Sequence, residues 1–308
     1  MKGYHVPAGS SPAGPFELEL TPATSSWTYC ALRVLSLRPG EQASFATGPE
    51  EMLVLPLSGG CTVSADGTAL NLAGRRSVFS RVSDFAYLPR DAEVTVASTT
   101  GGRFALPAAL ASRRLPVRYG PAEAVPVELR GAGPASRQVN NFCAPETFDC
   151  DKLVAVEVLT PAGNWSSYPP HKHDRARAAA DRPVSASGGS GGSSPQVTEA
   201  VLEEIYYFEI DERERGTGLA YQRVYSSAPD RQIDVLAEVR SGDTVLVPHG
   251  YHGPSMAAPG NHLYYLNVLA GPAAERSMAF ADDPAHAWIR ATWRDQQVDP
   301  RLPLTSAG

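Results

Sequence analysis

At 308 residues, a formal net charge of -6 and a pI near 5.7, the chain has the length for one large domain or two of ordinary size and the charge of an ordinary globular protein. No basic footprint for nucleic acid and no acidic tail stands out, and no apolar run approaches the length of a membrane span. The first nine residues contain no apolar signal-like stretch, so the expected location is the cytoplasm and the expected partner a small molecule.

Gly and Pro, at 27 each, punctuate short runs rich in Val, Leu, Tyr and Phe. In chain order these runs predict strands at 31–37, 52–57, 85–88, 153–159, 205–210, 219–225, 244–247 and 263–269. Many short strands with Gly/Pro turns predict an all-β sandwich or barrel. Helical periodicity is confined to 107–113 and 123–129. Cys30, Cys61, Cys143 and Cys150 show no CxxC pairing and are expected to be reduced thiols serving as small apolar groups.

A faint internal repeat runs through the chain. Residues 51–57, followed by 85–89, parallel 204–210, followed by 245–248, which matches Glu51 with Glu204 and Pro89 with Pro248. The second half carries histidines around this frame; the first has no His-x-His at 44–47 and has Glu93 where His252 falls. Two copies of one β-barrel are expected, 1–125 without metal and 126–308 with it.

The metal expectation rests on the run Tyr168-Pro169-Pro170-His171-Lys172-His173-Asp174. On a strand, residues i and i+2 share a face, so His171 and His173 aim two imidazoles at one point. Glu204, in a later strand-like run, and His252, in Gly250-Tyr251-His252-Gly253-Pro254, complete the set. Three nitrogens and one carboxylate suit a divalent transition metal with coordination positions left for substrate. The Ser/Gly-rich stretch at about 175–200 reads as a flexible loop at the mouth of the site, and its length leaves Glu203 and Glu204 both in contention as ligand.

The run 163–174 (Gly-Asn-Trp-Ser-Ser-Tyr-Pro-Pro-His-Lys-His-Asp), with Glu-Glu-Ile-Tyr-Tyr-Phe at 203–208 and Val-Pro-His-Gly-Tyr-His-Gly-Pro at 247–254, resembles a bicupin family of sugar-acid isomerases. That family holds 5-deoxy-glucuronate isomerase of myo-inositol catabolism and 4-deoxy-L-threo-5-hexosulose-uronate ketol-isomerase of pectin breakdown. The likeness extends from about 29 to 293 and is densest from 137 to 271. It implies two double-stranded β-helix barrels and metal in the C-terminal one, held by His171, His173, Glu204 and His252. Zinc is the metal implied, with manganese or iron also compatible with the ligands. Family alignment favours Glu204 over Glu203, and period-2 alternation puts Glu203 on the opposite face.

The implied reaction is an aldose–ketose isomerisation of 5-deoxy-D-glucuronate through an enediol. The same ligand set would also serve a non-haem iron dioxygenase or a non-catalytic sugar-binding cupin. Candidates for proton transfer are Lys172, Glu203 and Tyr251. Candidates for substrate contact are Arg137 and Arg223, whose guanidinium forks fit a carboxylate, together with Trp165, Tyr168 and Tyr206. Homo-oligomerisation is expected from the fold class alone.

Overall fold

The computed structural model describes residues 3–178, 197–212 and 217–308. Each apolar run lies in a strand to within a residue. The two helical expectations fail: 107–110 is the end of the strand Gly102–Leu110, and 123–129 divides between the 3-10 turn Ala122–Ala124 and the strand Val127–Arg130. Strand pairing, on both sides for Gly102–Leu110 and on one side for Val127–Arg130, outweighs a weak helical period in runs this short. The ends of the Ser/Gly-rich stretch are also ordered, since Asp174–Ala178 and Val197–Val201 pair antiparallel; the rest of the expected loop, 179–196, lies outside the described residues.

Strands from Phe16–Leu20 to Arg118–Gly120 form one nine-stranded sheet. A seven-stranded sheet follows the order His5–Val6, Thr244–Val247, Glu203–Ile210, Leu263–Ala270, Val154–Thr160, Arg137–Asn140, Val127–Arg130. Opposite it, a six-stranded sheet brings together Asp234–Val239, Ala220–Tyr225, Tyr251–Ala257, His171–Lys172 and Ala281–Asp282, with Trp165–Ser166 also paired to Tyr251–Ala257. The N-terminal His5–Val6 therefore pairs with a C-terminal strand, opposite Val245 and Thr244.

Strand alternation sorts side chains into three large cores, beside a small cluster of Val154, Ala200, Leu202 and Leu269. One fills the first barrel (Leu35, Met52, Val54, Phe104) and another the second (Tyr206, Phe208, Val224, Tyr265). The third lies between the barrels, where Leu53, Leu55 and Tyr87 meet Ile205, Tyr207 and Tyr264. On Glu203–Ile210, Glu204, Tyr206 and Phe208 thus enter the second barrel, while Ile205, Tyr207 and Glu209 turn toward the first. All four cysteines are buried free thiols.

Polar contacts stitch the two barrels together. Arg75 and Glu157 form a fully buried ion pair, and Glu157 also accepts from Tyr264 Oη at 2.8 Å and Asn140 Nδ2 at 3.2 Å. A second kind of link is reciprocal. Glu203 of the second barrel accepts from the backbone N–H groups of Thr28, Tyr29 and Cys30 at 2.7, 2.7 and 3.0 Å, just ahead of the strand Cys30–Leu37. Glu51 of the first barrel accepts from the N–H groups of Asp151, Lys152 and Leu153, just ahead of Val154–Thr160.

Strand register makes these two contacts equivalent. Met52 pairs with Leu88 and Ala108, as Glu204 pairs with Val247 and Leu269; Ala31 pairs with Ala108, as Val154 pairs with Leu269. Glu51 therefore corresponds to Glu203, one residue from the match with Glu204 that the apolar runs suggest. The residue equivalent to Glu204 is Met52, buried in the apolar core of the first barrel. A one-residue shift moves a side chain to the other face, and a pattern of apolar runs cannot fix it when both faces are buried.

Because charge-assisted hydrogen bonds contribute about 1.5–3 kcal/mol each, Glu203→Gln is expected to lower stability by about 2 kcal/mol in urea unfolding. Its metal content is expected to match the wild type. Arg75→Met is expected to cost about 3–5 kcal/mol, because it strands the Glu157 carboxylate in the interface.

Candidate metal centre and active site

The six-stranded sheet sets His171 directly opposite His252 on neighbouring antiparallel strands. Glu204 reaches the same place from the facing seven-stranded sheet, and His173 comes from the residue between His171–Lys172 and Asp174–Ala178. Glu204 Oε2 lies 2.9 Å from His173 Nε2 and 3.1 Å from His252 Nε2. All three residues are buried, and their ligand atoms lie within 4.8 Å of one another. The His171 ring stands beside this group, 4.4 Å from the His252 ring and 6.4 Å from the His173 ring between centroids.

The histidines are oriented by backbone carbonyls. His173 Nδ1 faces Leu202 O at 3.0 Å, His252 Nδ1 faces Gly250 O at 3.2 Å and His171 Nδ1 faces Pro169 O at 3.4 Å. Holding Nδ1 in this way leaves Nε2 as the outward lone pair, the arrangement a metal-ligating imidazole needs. His252 Nε2 is buried and makes no well-directed hydrogen bond, its near neighbour being Glu204 Oε2 at 3.1 Å, and a metal ion between them would satisfy both. The donor set therefore fits a divalent cation.

The electrostatics of the cluster are set by the contact of its carboxylate with its imidazoles. Burial alone would raise the Glu204 carboxyl, but His252 and His173 hold it well below the usual carboxylate range. Burial would likewise lower His173, yet its hydrogen bond to Glu204 raises it. His171 is pushed well below its ordinary value by burial and by His252.

Lys172, between two histidines, points away from them. Its Nζ forms buried ion pairs with Asp174, at 2.7 Å, and with Glu199. Asp174 also accepts from Ser227 Oγ at 2.7 Å and from the N–H of Gly250 at 3.0 Å. Gly250 is the residue whose carbonyl orients His252, so this charge cluster braces the metal-site turn from behind. Asp174 and Glu199 were not singled out by the sequence, although Asp174 closes the histidine run.

The cavity beside the His–Glu group is lined by Arg137, Ser167, Tyr206, Tyr265, Asn267, Met278 and Phe280. Arg137 and Tyr206 are thus brought to the site. The Arg137 guanidinium lies 5.8 Å from the Trp293 ring centre, and its Nη1 donates to Ala135 O at 3.1 Å. Burial, with Arg130 and Arg290 nearby, lowers it to about 10.

The other candidates lie elsewhere. Glu203 is the barrel clasp. Trp165 and Tyr168 pack edge to face at 5.4 Å and line a separate cavity with Ile289 and Trp293. Arg223 pairs with Asp234 over the Tyr225 ring, and Tyr251 packs on Tyr225 at 5.6 Å. Tyr207 and Tyr264, which also flank the motif strands, face the inter-barrel contact, where they bind Arg103 and Glu157. Tyr265 faces the cavity and escaped notice; strand alternation from Tyr264 was the available signal. Ser167 and Asn267 carried none.

The model of the KduI/IolB family matches residues 5–289. The chain belongs to that family. Among its curated relatives, 5-deoxy-glucuronate isomerase of Geobacillus kaustophilus is 38% identical over 274 residues, covering 88% of this chain and 90% of the relative. The Bacillus subtilis enzyme of the same name is 36% identical over 273 residues, covering 88% and 91%. A solved IolB-like protein from Salmonella typhimurium superposes with a TM-score of 0.78 at 31% identity, covering 92% of this chain and 98% of that one. Oxalate decarboxylase of Lactobacillus farciminis shares the fold alone, with a TM-score of 0.54 at 12% identity over 83% of this chain and 81% of its own. The all-β cupin expectation holds.

Among the described residues no helix is long and apolar enough to cross a membrane.

His252→Ala and Glu204→Ala are each expected to abolish stoichiometric metal binding, as measured by elemental analysis after dialysis. A metal at about 100 times its dissociation constant is expected to stabilise the wild type by about 2.7 kcal/mol. The same addition is expected to leave the unfolding of either variant unmoved.

Proposed function

We propose that this chain is an aldose–ketose isomerase that converts 5-deoxy-D-glucuronate to 2-deoxy-5-keto-D-gluconate in the cytoplasmic catabolism of myo-inositol. Relatives bearing the 5-deoxy-glucuronate isomerase name match nearly nine-tenths of the chain, and none of the comparisons favours the oxygenase or binding-protein alternatives. The observation that carries the substrate class is Arg137. It is a buried guanidinium without a carboxylate partner among the described residues, and it lines the same cavity as His173 and Glu204.

A sugar acid supplies what Arg137 lacks. Its carboxylate would take the guanidinium fork and direct the aldehyde end toward the His–Glu group. His171, His173, Glu204 and His252 would hold a divalent cation, zinc first and manganese or iron as alternatives. When bound, that ion would supply Lewis-acid stabilisation of charge developing on the carbonyl oxygen. Tyr206, Tyr265 and Ser167 would present hydroxyls to the substrate oxygens, and Met278 and Phe280 would keep bulk water away from the reacting carbons. Isomerisation then requires two transfers. The hydrogen on the carbon beside the aldehyde moves to the aldehyde carbon, and the neighbouring hydroxyl proton moves to the former carbonyl oxygen. A homo-oligomer is the assembly proposed for the protein, on fold analogy.

Proton NMR of 5-deoxy-D-glucuronate with the metal-loaded protein is expected to show the ketose forming equally under air and under argon. Turnover only under air would replace this reading with the oxygenase. Arg137→Met is expected to lower kcat/KM by about 100-fold or more, the cost of leaving a buried charge unpaired. The loss should be much smaller for an aldehyde substrate that lacks the carboxylate.

A further inference from the structure

We propose that Tyr206, Ser167 and Tyr265 form a hydroxyl relay that carries the oxygen-bound proton between the two adjacent substrate oxygens during isomerisation. This deepens the isomerase reading and rests on it. Ser167 Oγ lies 3.2 Å from Tyr206 Oη and 3.0 Å from Tyr265 Oη, and in each contact either oxygen can be the donor. The three residues line the cavity that holds His173 and Glu204, and Tyr206 packs 6.1 Å from the His252 ring. All three are buried, at 7% exposure for Ser167 and 1% for each tyrosine, which shields these hydrogen bonds from bulk solvent.

The backbone is built to keep Ser167 between the two phenols. Its φ of +47° is in the left-handed region, which a non-glycine residue occupies at a cost of about 1–3 kcal/mol. Gly253, with φ +101°, packs against it so closely that a Cβ there would sit 1.8 Å from Ser167 O. Only glycine permits that approach. A strained serine, wedged by a glycine and bonded to two tyrosines beside a metal-ligand cluster, is a costly arrangement for packing alone.

The chemistry balances without a charged side chain. The substrate hydroxyl gives its proton to one phenol, and that phenol's own proton passes to Ser167. Ser167's proton passes to the second phenol, whose proton goes to the former aldehyde oxygen. One O–H bond breaks and one forms at the substrate, and the electron pair left on the first oxygen becomes the new carbonyl bond. The three hydroxyls end protonated, with their hydrogen bonds reversed. The carbon-bound hydrogen travels separately.

Ser167→Gly removes the hydroxyl and accepts the positive φ, so it should fold; metal content and thermal unfolding verify this. The expected result is a kcat lower by about 100-fold or more with KM within about threefold, the size of a lost acid–base contribution. The double variant Ser167→Gly with Tyr206→Phe should be little worse than the single one, because the relay acts as a unit. The dependence of kcat on deuterium fraction should be curved for the wild type and straight for Ser167→Gly, which a purely structural role would not produce. A Ser167→Gly protein with wild-type metal content and kcat within about threefold of the wild type overturns the relay but leaves the isomerase reading intact. A metal-loaded wild type that forms no ketose overturns both.

Discussion

Two carboxylates exchanged between the barrels set the frame on which the rest of this molecule depends. Glu203 gathers three consecutive N–H groups at the entry to Cys30–Leu37, and Glu51 does the same at the entry to Val154–Thr160. Backbone donors ahead of a strand have no ladder partner of their own, and a carboxylate that gathers three of them fixes where the strand enters its sheet. Each barrel therefore completes the backbone hydrogen bonding of the other. With apolar packing and the Arg75–Glu157 pair between them, the two sheets meet in one register.

That frame explains why neighbouring glutamates have different work. Strand alternation sends Glu203 outward to the clasp and Glu204 inward to the histidines. The clasp anchors the strand that carries Glu204, so the metal-site carboxylate is placed from its own backbone. The first barrel keeps the clasp and has Met52 where the second has Glu204, which leaves its interior apolar. The two copies thus share an architecture and differ in what fills the interior at this position.

Within the second barrel the site is supported from two sides. Behind the histidines, Lys172, Asp174 and Glu199 tie the His171–Lys172 edge to the turn at Gly250. In front, Arg137 and the Tyr206–Ser167–Tyr265 hydroxyls furnish a polar wall opposite apolar Met278 and Phe280. The His–Glu cluster, a guanidinium with no carboxylate partner among the described residues and three hydroxyls thus face one cavity.

The sequence by itself determined the strand-rich class and the places of most strands, because short apolar runs between Gly and Pro are local properties of the chain. It also named His171, His173, Glu204 and His252, of which the structure brings the ligand atoms of the last three within 4.8 Å of one another. The long run at 163–174 also carried the family likeness. Tertiary structure alone decided which carboxylate binds where across the barrels, since the equivalence of Glu51 with Glu203 follows from pairing register. It likewise decided which aromatic residues face the cavity: Tyr265 does and Tyr264 does not, although both are buried in one apolar run. When a strand is covered on both faces, its pattern no longer marks inside from outside. Ser167 and Asp174 acquire their roles only when distant strands close around them, and no spacing along the chain announces that.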